Sequence, residues 1–404
     1  MKSGFVSIIG RPNAGKSTLL NALVGEKVAI VTSKPQTTRN RILGVVEVAS
    51  TTGSAGVAAQ IVFVDTPGVH QPGTQLDRRM MQEVHEALET RDAVILLVDA
   101  SRELRLPEEA AEVDVLPETP ELAAGPAAQP AHQARELRGK ELSSKDLRSK
   151  DSRGKDSHTA DWRSEDAFLL SLIARLDCPV LLVVNKIDLV RREELLPLID
   201  RLSKLHDFAA VFPVSARKRD GLERMVAELV RLLPKGERYF PTEQYTDQPE
   251  RFLVAELIRE RILMETGEEV PYASAVVIER FEEPAEAPAK ARKPKKPRML
   301  KGGIPAPERE SLTSIAAAIY CEREGQKAIL IGKGGAKLQA IGTSARREIE
   351  GLLGTRVYLE LRVIVKPGWR ESRGFVEDLD WRRQMEEIGQ RQAALALTQD
   401  EKPE

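Results

Sequence analysis

The chain has 404 residues, 41% hydrophobic and 30% charged, which is more than one compact domain usually needs and enough for true apolar cores. Its 61 Lys and Arg against 62 Asp and Glu leave a formal charge of −1, excluding a wholly basic nucleic-acid coat but not a basic patch. Apolar runs such as those at 94–98 and 180–184 fall far short of the roughly 20 residues of a membrane span. Residues 1–30 lack the charged start, apolar stretch and cleavage site of a secretory signal. Cys178 and Cys321 match no metal or disulfide spacing, so the expectation is a cytosolic chain.

An apolar run at 5–9 reads as a strand ending at Gly10, followed by a helix from Gly15 through Leu23 that buries Leu19, Leu20 and Leu23. Further strands are expected at 45–48, 60–64, 93–98, 179–184 and 211–214, with amphipathic helices over 193–205 and 222–233. This alternation predicts an α/β domain over 1–236, its mixed, mainly parallel sheet covered by helices on both faces. Residues 104–164 are rich in Glu, Pro, Ala, Lys, Asp, Ser and Arg and poor in large apolar side chains. They read as a disordered insertion, with a charged helix that orders on a partner as the alternative. A linker at 237–250 precedes a helix over 251–266, a strand at 274–281 and a low-complexity stretch at 282–310. Then come a strand at 312–322, the apolar run 328–331 read as strand-like, a glycine turn, a helix over 336–353 and a strand at 356–365. These predict a smaller α+β domain over 251–376, with a tail at 377–404.

Gly10-Arg11-Pro12-Asn13-Ala14-Gly15-Lys16-Ser17, followed by Thr18, fits the phosphate-binding loop between a strand and a helix. Glycines let backbone N–H groups close around phosphate oxygens, and the helix N-terminus adds a favourable dipole. Lys16 would reach the β and γ phosphates and Ser17 would ligate Mg²⁺, but the loop alone does not choose ATP or GTP. Asp65-Thr66-Pro67-Gly68 ends another strand, placing Asp65 to hold the metal through water and Gly68 to sense the γ-phosphate with its N–H. Asn185-Lys186-Ile187-Asp188 ends a third, where Asp188 accepts the N1–H and N2–H donors that guanine alone presents together. Ser215-Ala216 would support the base edge. Four such segments in this order point to GTP.

Ser33-Lys34-Pro35-Gln36-Thr37-Thr38-Arg39, read with these motifs, resembles the switch segment of the Era GTPases. The resemblance makes Thr38 the threonine that covers Mg²⁺ in the GTP state, with Thr37 the alternative. Many GTPases orient water with a glutamine after the Asp-x-x-Gly glycine; here Val69 and then His70 follow. The resemblance implies a hydrophobic residue at that place and low intrinsic turnover. Catalysis would then rest on Lys16, Mg²⁺ and the Thr38 and Gly68 loops stabilising transition-state charge. His70 is expected to be a solvent-facing switch residue rather than a general base. Asn13 would place a monovalent cation such as K⁺, or only brace its loop.

Ile331-Gly332-Lys333-Gly334-Gly335 before the 336–353 helix contains a G-x-x-G loop, and Lys337 follows one turn later. With 27 glycines in the chain, about two such matches are expected by chance, so the loop alone is weak. Residues 281–370 hold 18 Lys and Arg against 10 Asp and Glu, a local excess of eight suited to phosphate contacts. The resemblance to Era extends through Tyr239-Phe240-Pro241, Tyr245-Thr246-Asp247 and Glu269-Val270-Pro271-Tyr272 to Trp369. It implies a KH domain of the second topological type behind the GTPase domain. It implies further a monomeric, GTP-dependent assembly factor of the 30S ribosomal subunit, its KH domain holding the 3′ end of 16S rRNA. Peripheral contact with the inner face of the cell membrane is also implied. The competing expectations are a membrane-associated signalling GTPase and an RNA-binding module whose GTPase domain only senses nucleotide.

Overall fold

β1 (Lys2–Gly10) is buried along most of its length, and so reads as a continuous apolar run rather than an alternating one. It lies between β3 (Ala59–Asp65) and β4 (Ala93–Asp99), both parallel to it. With β2 (Ile42–Val48), β5 (Val180–Asn185) and β6 (Ala210–Pro213), the six-stranded order is β2-β3-β1-β4-β5-β6. β2 alone runs antiparallel, its Ile42 opposite Asp65 and its Val48 opposite Ala59. The computed structural model describes residues 1–49, 58–102, 165–267, 269–283 and 312–386. The insertion expected at 104–164, residues 284–310 of the second insertion and the tail after 386 lie outside the described residues.

Successive strand residues serve two cores. Ile8, Phe63, Ile95 and Val183 pack with α1 (Lys16–Val24) and α5 (Leu222–Leu232). Ile9, Leu96, Leu182 and Val184 face the core shared with α2 (Gln75–Glu89), α3 (Glu165–Ile173) and α4 (Arg192–Ser203). Neither α2 nor α3 is among the helices expected above. For α2 the signal is present in the sequence: Leu76, Met80, Val84 and Leu88 recur every fourth residue and are buried. Thr74 and Asp77 close a reciprocal capping box at its start, with Asp77 N–H donating to Thr74 Oγ1 at 3.2 Å and Thr74 N–H to Asp77 Oδ2 at 3.0 Å.

The second domain begins with α6 (Glu250–Glu265) and a three-stranded sheet ordered β7 (Ala275–Glu282), β8 (Leu312–Cys321), β9 (Arg356–Val365). β7 is antiparallel to β8, whereas β9 is parallel to it, as the helical crossover between β8 and β9 requires. That crossover corrects one expectation. Ala328 to Ile331 do not form a strand but end α7 (Glu324–Ile331), so the glycine loop joins α7 to α8 (Ala336–Leu353). Short apolar runs do not distinguish strand from helix by periodicity. Val254, Ile258 and Ile262 of α6 pack with Ile315 and Ile319 of β8 and Ile341 and Ile349 of α8.

After β9 the chain returns to the first domain. Trp369 is fully buried, donates its indole N–H to Ala273 O at 2.9 Å, and packs with Val376 of α9 (Arg373–Asp378) against Leu76 and Met80 of α2. The start of the expected tail continues this contact. Asp380 pairs with Arg79 of α2 at 2.7 Å, and the ring of Trp381 lies 5.9 Å from that of Phe252 in α6. Trp369→Ala should destabilise the docked chain by ~3–5 kcal/mol, measured as a lower chemical-denaturation midpoint together with exposure of α2 to proteolysis.

Candidate functional site

The loop between β1 and α1 curls back over its own lysine. Lys16 Nζ donates to Gly10 O and Arg11 O, both at 3.0 Å, and is almost fully buried. Burial lowers its pKa to about 8 against the opposing field of Asp65. Burial likewise raises Asp65 to about 6, opposed by Lys16 and by the hydroxyls of Ser17 and Thr38. Arg11 fastens the loop sideways to α3, reaching Glu165 at 2.8 Å and Asp166 at 3.0 Å. Pro12, Lys16, Ser17, Thr18, Thr38 and Gly68 line one small cavity at the head of α1. Ala14 is buried beneath the loop.

Three oxygens meet beside Lys16. Ser17 Oγ lies 2.6 Å from Asp65 Oδ2 and 2.8 Å from Thr38 Oγ1, and Asp65 Oδ1 is buried without a hydrogen-bond partner. One carboxylate and two hydroxyls form a donor set for a hard divalent cation, and the orphaned oxygen fits that use. Between the threonines, geometry separates the roles. Thr37 Oγ1 is occupied within its own loop by Lys34 O at 2.6 Å and Thr32 Oγ1 at 2.7 Å, while Thr38 faces Ser17.

Gly68 lies directly on the phosphate loop. A Cβ there would approach Pro12 Cα to 2.8 Å and Pro12 N to 2.9 Å, so only glycine allows the contact. Val69 N–H donates to Gly10 O at 3.2 Å, but its side chain is fully buried with Ile9, Met81 and Val84. Thr66 is tied to Ile8 O at 2.8 Å. His70 corrects another expectation, for it is not solvent-facing. Its side chain is 13% exposed, with Nδ1 2.8 Å from Gly68 O and Nε2 3.1 Å from Asp77 Oδ1.

The base side is built from the ends of β5 and β6. Asn185 Nδ2 donates to Ala14 O at 2.9 Å and its Oδ1 accepts Ala216 N–H at 3.0 Å, joining three of the predicted segments. Lys186, in a left-handed conformation at φ 64°, reaches Asn13 O and Asp99, each at 2.7 Å. Ser215 Oγ donates to Asp188 Oδ1 at 2.7 Å, holding that carboxyl below its usual pKa and aimed.

On the second domain, Gly332, Lys333, Gly334 and Gly335 form the turn between α7 and α8, and Gly332, Gly334 and Gly335 all have positive φ. Ile331 ends α7 and Lys337 lies in the first turn of α8. Beside the turn runs an open groove of about 430 Å³ between Leu338, Gly342, Thr343 and Arg346 of α8 and Leu359 and Leu361 of β9. The groove residues were not foreseen, because their placement depends on β9 lying beside α8.

Sequence reasoning also missed the contacts joining the two sites. The Arg39 guanidinium, buried at the domain seam, donates to Ser274 O at 2.8 Å, Pro271 O at 3.2 Å and Tyr272 O at 3.3 Å. Burial, with Arg259 nearby, lowers its pKa to about 9. Arg259 of α6 donates to Thr37 O and pairs with Glu256 at 2.5 Å. Lys34 caps the end of α6 through Thr266 O and Gly267 O. Lys27 pairs with buried Glu260 at 2.6 Å, and the same carboxylate accepts Val31 N–H at 3.0 Å. The loop carrying Thr38 is thus held by α6 and the 271–274 turn.

Asp188→Asn keeps an acceptor for Ser215 but sets an N–H against guanine donors. GTP affinity should fall by about a hundredfold in an equilibrium titration, with xanthosine triphosphate, whose 2-oxo group accepts, recovering most of the loss.

Residues 5–122 match the family described as 50S ribosome-binding GTPase, and residues 297–370 the KH domain family. The chain is 38% identical to GTPase Era of Geotalea uraniireducens over 380 residues, 94% of this chain and 98% of that protein. It is 34% identical to GTPase Era of Ruminiclostridium cellulolyticum, with the same shares covered. A variant of Aquifex aeolicus Era bound to GDP.AlF4⁻ superposes with a TM-score of 0.67 at 32% identity, over 93% of this chain and 98% of that one. Era solved with MgGDPNP and nucleotides 1506–1542 of 16S ribosomal RNA gives 0.66 at 33% identity, over the same shares. With a phosphate-loop domain and a KH domain in the same order, and likeness along nearly its whole length, this chain belongs to the Era family of GTPases.

Proposed function

We propose that the protein is a GTP-hydrolysing switch that binds the 3′ region of 16S rRNA through its KH domain and assists assembly of the 30S subunit. The observation that carries this reading is the double attachment of residues 34–39. Thr38 faces the oxygens of Ser17 and Asp65, while its neighbours Thr37 and Arg39 are hydrogen-bonded to the KH side of the seam. A ligand that repositions Thr38 therefore acts on the KH domain through two peptide units. The RNA bound by the related Era protein supports the choice of RNA.

Ser17, Thr38 and, through water, Asp65 would hold Mg²⁺, which supplies positive charge to the β and γ phosphate oxygens. Lys16 and the N–H groups of residues 13–18 bind the phosphates, and Gly68 presents its N–H where the γ-phosphate ends. The Val69 side chain offers no polar atom to a water, so intrinsic turnover is low. Asn13 Nδ2 is taken by Ser33 O at 2.8 Å, leaving its amide oxygen for a monovalent cation such as K⁺. On the KH side, the left-handed glycines let an RNA backbone approach Lys333 and Lys337, and bases lie in the groove along α8. In this reading the protein works in the cytoplasm as a monomer. Peripheral contact with the inner face of the cell membrane is secondary, and no comparison supports a lipid-binding role in place of RNA.

A ligand shifts a two-state equilibrium only by its differential affinity. RNA corresponding to the 3′ end of 16S rRNA should therefore bind more tightly with Mg²⁺ and a non-hydrolysable GTP analogue than with GDP. Gly334→Asp should remove that binding and leave nucleotide affinity intact. Open space surrounds a Cβ at Gly334, and Asp tolerates its φ of 60° better than most residues, so the fold survives while a negative charge meets the phosphates. Arg259→Ala should keep both bindings but reduce the difference between analogue and GDP by about tenfold. Equal RNA affinity with both nucleotides in the unaltered chain would refute the switch.

A further inference from the structure

Three arginines at the domain seam each keep one buried N–H that finds no acceptor among the described residues: Arg39 Nε, Arg251 Nε and Arg259 Nη1. All three side chains line one cavity of about 60 Å³, with Arg79 of α2, Glu256 of α6 and Val376 of α9. Arg39 is only 8% exposed and Arg259 2%. Their remaining donors are engaged. Arg39 ends on the carbonyls of the 271–274 turn, Arg251 donates to Ile278 O, and Arg259 donates to Thr37 O and Glu256. A buried donor of a charged group left unpaired is costly, and an acceptor in the shared space removes that cost.

The charges are as unbalanced as the hydrogen bonds. Arg79 is matched by Asp380 at 2.7 Å. Arg259 is matched by Glu256, which it holds through Nε at 2.7 Å and Nη2 at 2.5 Å. Arg39 and Arg251 end on main-chain carbonyls and form no ion pair among the described residues. Arg259 and Arg370 repel Arg39, while Glu256 and Asp77 attract it. Of those two acids, Glu256 already holds Arg259, and Asp77 is engaged by His70 and Thr74. Two guanidinium charges thus border the cavity without a carboxylate of their own. A dianion whose oxygens point in several directions meets both demands, since guanidinium donors match such oxygens in charge and geometry. At roughly 10–15 Å³ for each water-sized atom, the space suits a tetrahedral oxyanion and is too small for a nucleotide.

We propose that this cavity binds one inorganic phosphate dianion, held between Arg39 of the Thr38 loop and Arg251 and Arg259 of α6. The site is separate from the phosphate loop, and its donors come from both domains. Arg39 directly follows Thr38, and Arg259 also holds Thr37 O. A bound phosphate therefore ties the loop that faces the cation site to the first helix of the KH domain, and it relieves the repulsion between Arg39 and Arg259. Neither the choice of guanine nor the choice of RNA enters this assignment.

Equilibrium dialysis of the full chain against radiolabelled inorganic phosphate at millimolar concentrations tests the site. Mg²⁺ and a saturating non-hydrolysable GTP analogue are present throughout, so that the phosphate loop is occupied. One phosphate per chain should bind beyond the nucleotide. Arg251→Gln should weaken that binding by about tenfold, the scale of one charge-assisted hydrogen bond. Glu256→Gln removes the carboxylate that lines the cavity and should tighten it by about fivefold, a direction that a loosened fold does not produce. Glycerol phosphate, whose ester group exceeds the cavity, should not compete. No phosphate bound beyond the nucleotide would mean that water alone meets the arginine N–H groups, and it overturns the proposal. Phosphate binding that both substitutions leave unchanged, or weaken alike, overturns it as well by placing the anion elsewhere on the chain. So does competition by the ester.

Discussion

The two domains are joined by basic side chains that end on main-chain carbonyls. Arg39 leaves the GTPase domain to meet the 271–274 turn, and Arg259 leaves the KH domain to meet Thr37 O. Burying a guanidinium is costly unless its N–H groups are satisfied, and carbonyls satisfy them only from defined directions. The seam is thus directional where an apolar contact would slide. Its position matters more than its strength, because the residue between the two contacts is Thr38. Whatever the Ser17–Asp65–Thr38 oxygens hold, the backbone that presents Thr38 is shared with the KH half.

A second route runs through α2. Gly68 and His70 lead into its capping box, and further along Leu76 and Met80 meet Trp369 and Val376. Each of the two loops that face the nucleotide is therefore anchored in the KH half, one by ion–carbonyl contacts and one by packing. The opposing pKa shifts of Lys16 and Asp65 belong to the same design. Both charges are removed from water in a site whose compensating charge comes from phosphate and cation.

Much of the GTPase domain could be read from sequence because its chemistry fixes both residue type and spacing. The phosphate loop needs glycine at closely approached backbone, lysine for charge and a hydroxyl for the cation, and strand ends supply the rest. Strands buried on both faces also announce themselves as apolar runs. The KH half was harder. Ala328 to Ile331 read as strand-like, whereas their place in α7 follows from the crossover between parallel strands. His70 seemed a mobile surface residue because its partners, Gly68 O and Asp77, are brought together by a turn and a helix cap. The contacts of Arg39 and Arg259 carry no sequence signal: their acceptors are carbonyls, which every residue has, and only the docked structure says which ones.

The shared loop can be tested by amide hydrogen exchange on the full chain, comparing Mg²⁺ with a GTP analogue against GDP. Protection should rise with the analogue at residues 34–39 and, in parallel, at the 271–274 turn and the first turns of α6, all far from any phosphate contact of their own. A change confined to residues 10–18 and 34–39, with the 271–274 turn and α6 exchanging alike in both nucleotides, would contradict coupling through Arg39 and Arg259.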